Sequence, residues 1–141
     1  GTADPFAIIG APFIKAESFS KAFNALGCPG VEATPVYFSP TASKHEGKLC
    51  GGIHLHITDE TRLQPAALGV KLLDLLRKMY PGDFHFLPPV RDDGRPFLTL
   101  LAGHRDFERP DWDADALMER YRKESEDFRR RKAPYERYPR G

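Results

Sequence analysis

Between Phe38 and Asp59 the chain reads FSPTASKHEGKLCGGIHLHITD, and its last part alternates without a break. Ile53, Leu55 and Ile57 fall on one side; His54, His56 and Thr58 fall on the other. A period of two predicts a half-buried strand over 52–58, its apolar side on a core and its two imidazoles on the opposite face. The loop before it is rich in Ser, Thr, Lys, Gly and His and carries Ser43, Lys44 and His45. A polar loop feeding a strand with a polar face reads as a ligand site or as an ordinary solvated sheet face.

The remaining pattern is mixed. Residues 1–15 hold two Pro and two Gly among apolar residues and predict a turn-rich entry, with Phe6, Ile8 and Ile9 on the core. Phe19, Ala22, Phe23 and Leu26 space one face of a helix over Ala16 to Leu26, stopped by Gly27 and Pro29. Val31 to Phe38 predicts a strand, and Pro35 within it favours an edge position or a bulge. After an Asp59–Gln64 turn, Pro65 opens a helix whose stripe is Leu68, Leu72, Leu75, Leu76 and Met79; Pro81 and Gly82 end it. Phe84 to Leu87 is a short strand candidate, and PPVRDDGRP is a surface loop. Phe97 to Ala102 suits a strand or a short helix. Asp111 to Lys132 predicts a long helix with Leu117, Tyr121 and Phe128 on one face and a solvated charged face. Tyr135 and Tyr138 in the tail are expected to pack back on the body. The class is α+β: a sheet of roughly three to four strands packed by about three helices, with residues 1–141 as one domain.

Composition narrows the function classes. The chain has 141 residues, 40% hydrophobic and 29% charged, which suits a globular domain with a core of its own. A formal net charge of +1 points to neither nucleic acid nor an anionic membrane, and the apolar runs are far short of a membrane span. No GxGxxG or P-loop occurs, so nucleotide binding has no support. The start at Gly1 without Met reads as a fragment or processed product, separated from any targeting signal. Cys28 and Cys50 are too few for a disulfide scaffold; two small buried thiols are expected, with pairing in an oxidising compartment the other reading.

Five constellations could carry chemistry. His54 and His56 form an H-x-H pair on one strand face, close enough to share a metal, with His45, Cys50 or Asp59 as third ligand. Strand histidines more often hydrogen-bond to neighbours, and no spaced third ligand completes the pattern. Cys50 as a nucleophile lacks any cysteine-protease context. Lys44, beside Ser43 and near Gly47, Gly51 and Gly52, suits a carboxylate or an exposed loop equally well. Glu46, Asp59 and Glu60 could act as acid or base, but no two of them can be placed around one glycosidic bond. Tyr37 and nearby Phe residues could stack on a sugar ring or pack in the core.

At these residues the chain resembles the C-terminal domain of the NamZ-type exo-β-N-acetylmuramidases, long catalogued as a bacterial domain of unknown function. GTADPFAIIGAPFI resembles that family's GTDxPFE…GAPW opening, and FSPTASKHEGKLCGGIHLHITD its F-x-PT-x-SK-x-x-G-x-x-C-x-G-x-x-IH-x-x-D block. PAALGVKLLDLLRKMYP resembles the following helix, and YRKESEDFRRRKAPYERY the W-x-x-E-x-x-x-F-x-x-x-R-x-x-Y-x-x-Y end. The resemblance covers essentially the whole chain. Ala3 stands for Asp, Ala7 for Glu, Phe13 and Tyr121 for tryptophans, Lys132 for Arg and His54 for the more frequent Gln; a Gln there implies hydrogen bonding rather than metal.

The resemblance implies a hydrolase that removes terminal N-acetylmuramic acid (MurNAc) from peptidoglycan fragments, in cell wall recycling. It implies a Rossmann-like N-terminal catalytic domain carrying the catalytic glutamate, with the active cleft between the two domains. This chain then holds no catalytic residue, no cofactor and no metal; the loop and the strand's alternation offer Ser43, Lys44, His54 and His56 as the residues expected to bind substrate. Its partners are the N-terminal domain and MurNAc-containing fragments, with neither nucleic acid nor membrane, in a periplasmic or extracellular setting. MurNAc's lactyl carboxylate would suit Lys44. The competing readings are a stand-alone carbohydrate-binding or protein-interaction module and a small metal-dependent hydrolase using His54 and His56. The upstream reading frame separates the first two; a metal assay tests the third.

Overall fold

The glycines at Gly51 and Gly52 let β3 run through the centre of the sheet. In the computed structural model, which describes residues 6–42, 44–91 and 94–137, the strands are β1 (Ile8–Ala11), β2 (Val31–Phe38) and β3 (Cys50–Ile57). Their order is β1-β3-β2 and both pairings are antiparallel. A Cβ on Gly51 would stand 2.2 Å from the carbonyl oxygen of Ile14, so only glycine lets the chain entering α1 cross this close. The helices are α1 (Ala16–Ala25), α2 (Pro65–Met79), α3 (Phe97–Ala102) and α4 (Ala114–Lys132), with short 3-10 turns at Asp106–Glu108 and Ala133–Tyr135. The fold is α+β, as the pattern predicts.

The inner face of the sheet packs on α1 and α2. Phe19, Phe23 and Ile53 are fully buried there, and Leu72, Leu75 and Leu76 close the layer from α2. A second cluster lies on the far side of α2: Val70, Phe107, Trp112 and Leu117, with Leu98 and Tyr121 packed against it. Arg77 joins the two regions. Its guanidinium stacks 4.3 Å from the Trp112 ring and pairs with the buried Asp74 at 2.7 Å.

Boundaries follow local chemistry. Pro65 takes the first turn of α2, where its missing N–H costs nothing. The α4 helix starts at Ala114 rather than Asp111, because the Asp113 side chain caps it by accepting from Ala116 N–H at 2.9 Å. Phe97–Ala102 resolves as helix, closed by Gly103 in the left-handed region.

Four expectations fail. The entry segment contains a strand, β1, which its four-residue length and Gly10 concealed. Of its three apolar residues, Ile9 packs on the core, Ile8 lies on the opposite sheet face, and Phe6 is 97% exposed. Phe84–Leu87 is not a strand: Phe84 is drawn onto the first cluster and Phe86 onto the second, and no strand pairs with them. Tyr135 is 83% exposed rather than packed back; Tyr138 lies outside the described residues.

Candidate functional site

The outer face of the sheet carries no helix. Antiparallel register fixes its residues, since directly paired positions point the same way. His54 pairs with Thr34 and with Ile8, His56 with Glu32, Gly52 with Gly10 and Val36, and Cys50 with Phe38. Ile8, Gly10, the even-numbered residues of β2 and those of β3 therefore share one face, while Ile53, Val31 and Ala33 point into the core.

The two imidazoles meet on this face. Their ring centroids are 4.4 Å apart, tilted by 43°. His56 Nε2 lies 2.8 Å from Thr34 Oγ1, a diagonal cross-strand hydrogen bond. Beyond His54 the face flattens to Gly10 and Gly52. The Phe38 ring covers this floor: a Cβ on Gly10 would stand 2.6 Å from its Cε1. Past Phe38 comes the 39–49 loop, closed on itself by Gly47 N–H donating to Pro40 O at 2.9 Å and Lys48 N–H to His45 O at 3.0 Å. Lys44 is exposed in that loop; Ser43 lies outside the described residues.

At about 3.3 Å per residue, His54 stands about 13 Å and His56 about 20 Å along the strand from Cys50. The loop and the imidazoles thus occupy the two ends of one elongated strip. None of the four main hollows takes in Lys44, His54 or His56. The strip is exposed at Glu32, Thr34 and His56 and closes over toward Gly52 and Cys50, which are buried.

Other sequence candidates go elsewhere. Tyr37 points to the helix side, where its hydroxyl donates to Glu17 Oε2 at 2.7 Å. That bond holds the Glu17 carboxyl below the usual range and raises the Tyr37 phenol. The Asp59 carboxylate accepts from the Thr61 hydroxyl at 2.6 Å and its N–H at 2.9 Å, which lowers its pKa and commits it to a turn. The buried Cys50 thiol donates to Lys48 O at 3.6 Å. Cys28 and Cys50 are free thiols, and burial raises the Cys28 pKa. Among the described residues no three His, Cys, Asp or Glu gather around a possible metal.

Sequence reading missed Thr34 and Glu32. Their signal is the alternation Val31, Glu32, Ala33, Thr34, which places polar groups opposite core residues. Val36 and Phe38, apolar at even positions of the same strand, obscure it, for these two belong to the outer face.

A helix-backed antiparallel sheet with a bare, partly polar outer face defines a small α+β domain with a surface free for recognition. The chain matches the family model described as exo-β-N-acetylmuramidase NamZ, C-terminal, over residues 1–138. It therefore belongs to the NamZ C-terminal family. It is 41% identical over 87 residues to the peptidoglycan β-N-acetylmuramidase NamZ of Bacillus subtilis (strain 168), covering 62% of this chain and 21% of that protein. The crystal structure of a DUF1343 family protein from Bacteroides fragilis NCTC 9343 superposes with a TM-score of 0.53 at 25% identity, over 55% of this chain and 20% of that one. The matches span about a fifth of each relative's length.

Proposed function

We propose that this chain is the substrate-binding, cleft-completing domain of an exo-β-N-acetylmuramidase acting on peptidoglycan fragments. Catalysis then belongs to a Rossmann-like N-terminal domain, and this domain presents its outer sheet face to the sugar. The observation that carries the reading is the outer strip itself. Within one family-matched block, two imidazoles, the Thr34 hydroxyl and an aromatic ring line a bare sheet face, and a loop lysine stands at its end.

The chemistry fits an anionic sugar. Imidazoles and hydroxyls at one end of the strip donate and accept hydrogen bonds to the hydroxyls of one sugar, an exposed ammonium at the other end answers the lactyl carboxylate of another sugar of the fragment, and Phe38 between them offers an apolar surface to a ring face. Ser43 joins Lys44 in this role. No residue of this chain is assigned to bond cleavage.

The test uses the intact enzyme. His56→Ala removes one neutral hydrogen-bonding group and is expected to raise KM by roughly two- to tenfold, the equivalent of about 0.5–1.5 kcal/mol. The melting temperature should not move, because His56 is exposed. Unchanged KM in a folded His56→Ala enzyme would remove His56 from the site.

A further inference from the structure

The α3 helix is built inside out. Its six residues read FLTLLA, yet Phe97, Leu100 and Leu101 are 60, 62 and 69% exposed, while Thr99 is 3% exposed. The Thr99 hydroxyl points inward and donates to Glu108 Oε1 at 2.8 Å. Only Leu98 and Ala102 reach the second core cluster. A helix that buries its one hydroxyl and turns three large apolar side chains outward contributes little to its own domain. Such a patch marks a surface that is covered by something else.

The patch borders a hollow of about 690 Å³ between α2, α3 and the last turns of α4. Its floor is apolar, with Val70, Leu73 and Phe107. On the far wall stands Phe128, 57% exposed although it shares the helix face of the buried Leu117. At the rim Arg129 has no acidic partner among the described residues, while Lys132 pairs with Glu136 at 2.9 Å. Pro65 and Ala66, at the start of α2, also line the hollow, so it opens at the end of α2 that follows β3. That is the end of the sheet where His56 stands.

We propose that this α3–α4 groove is the surface by which the domain docks onto the rest of its muramidase polypeptide. The covering segment sets apolar side chains against Leu101 and Phe128 and a carboxylate against Arg129. The inference rests on the reading that the chain is one domain of a longer enzyme, and it adds which surface holds the domain in place. Two observations name the occupant. The relatives extend far beyond the matched region, which is 21% of one and 20% of the other. The Arg129 guanidinium, without an acidic partner among the described residues, and Lys132 outweigh Glu124 on the groove's lining and call for an acidic-apolar segment rather than a second copy of the same surface.

Hydrogen exchange on the intact polypeptide and on residues 1–141 alone tests this. The amides of 97–102 and 121–132 are expected to exchange at least about tenfold more slowly in the intact protein, and Leu101→Glu with Phe128→Glu should erase that difference. Both residues are exposed, so the double variant of residues 1–141 should keep its circular dichroism and melting temperature. Equal exchange in the two wild-type forms would overturn the proposal, as would protection that survives the double variant. A native reading frame confined to these residues would also overturn it. So would a concentration-dependent dimer of residues 1–141 that the double variant dissolves, since the occupant would then be a second copy. Lys44→Ala kinetics in the same polypeptide separate the two readings. A KM effect without groove protection refutes docking alone; groove protection without a KM effect refutes the sugar site alone.

Discussion

Asn24 closes the open edge of β2. Its amide donates to Ala33 O and accepts from Ala33 N–H, both at 2.9 Å, and Ser20 Oγ adds a third bond to the same carbonyl at 2.8 Å. An edge strand with unpaired backbone invites pairing with another chain, and this helix side chain occupies it in place of one. Asn24→Ala would leave the Ala33 N–H without its partner. It should cost about 1–2 kcal/mol, a fall in melting temperature of roughly 2–8 °C for a domain of this size, measurable by calorimetry. No change would mean that water replaces the amide without loss. On the outer face the same kind of detail bears on the metal reading. His56 is engaged by Thr34, and the Asp59 carboxylate by Thr61. Purified protein is expected to contain no stoichiometric zinc by elemental analysis; about one zinc per chain, lost in His56→Ala, would contradict this.

At the scale of elements, α4 is two helices in one. Its first half is tied down: Leu117 is buried, Arg120 pairs with Asp106 at 2.7 Å, His104 Nδ1 meets Asp106 at 2.7 Å, and the His104 ring bonds to the Tyr121 hydroxyl. Burial raises the Tyr121 phenol pKa. The second half, beyond Tyr121, is exposed and relies on its own i,i+3 and i,i+4 ion pairs. Arg122 holds Glu119 at 2.8 Å and Glu126 at 2.6 Å, and pulls the Glu119 carboxyl from 4.5 down to about 2. A carboxylate with a depressed folded pKa stabilises the helix above its unfolded pKa, and that contribution disappears as pH falls through the folded one. Helicity of α4 should therefore decline between about pH 4.5 and 2. The pairs are solvent-exposed, so the decline should be small and should shrink in molar salt. Circular dichroism across that range checks it; a pH-independent, salt-independent signal would show that the pairs contribute nothing.

Elements were also where the sequence could be read and where it could not. Periodicity located β2, β3, α1 and α2 to within a residue or two, because each buries a regular apolar face on a single partner. It failed where one residue's neighbours lie far along the chain. Gly10 reads as a turn, yet its role is to lie under Phe38 in a strand. Phe84 and Phe86 alternate like a strand, yet two different clusters claim them. In α3, hydrophobicity suggests burial, while Thr99 is the residue that goes inside. The site was legible in the same partial way. The His54–His56 pair follows from alternation alone, but Thr34 and Glu32 enter only through the register of β2 against β3.

At the scale of the whole molecule the domain has two layers with different tasks. The helix layer buries the core and ends in an uncovered apolar groove; the sheet turns its polar strip outward. Among the described residues no helix is long and apolar enough to cross a membrane. On this account the isolated chain binds but does not cleave. It is expected to show no turnover of a chromogenic MurNAc glycoside, and turnover abolished by a mutation within residues 1–141 would contradict that.

If this domain contacts the sugar, as proposed, Lys44 is the residue that shows it most directly. In the intact polypeptide, steady-state kinetics of Lys44→Ala on a MurNAc glycoside would measure the loss of one hydrogen bond to a carboxylate, about 1.5–3 kcal/mol. KM is expected to rise roughly tenfold or more with the fold unchanged. A Lys44→Ala enzyme with wild-type kinetics would contradict it.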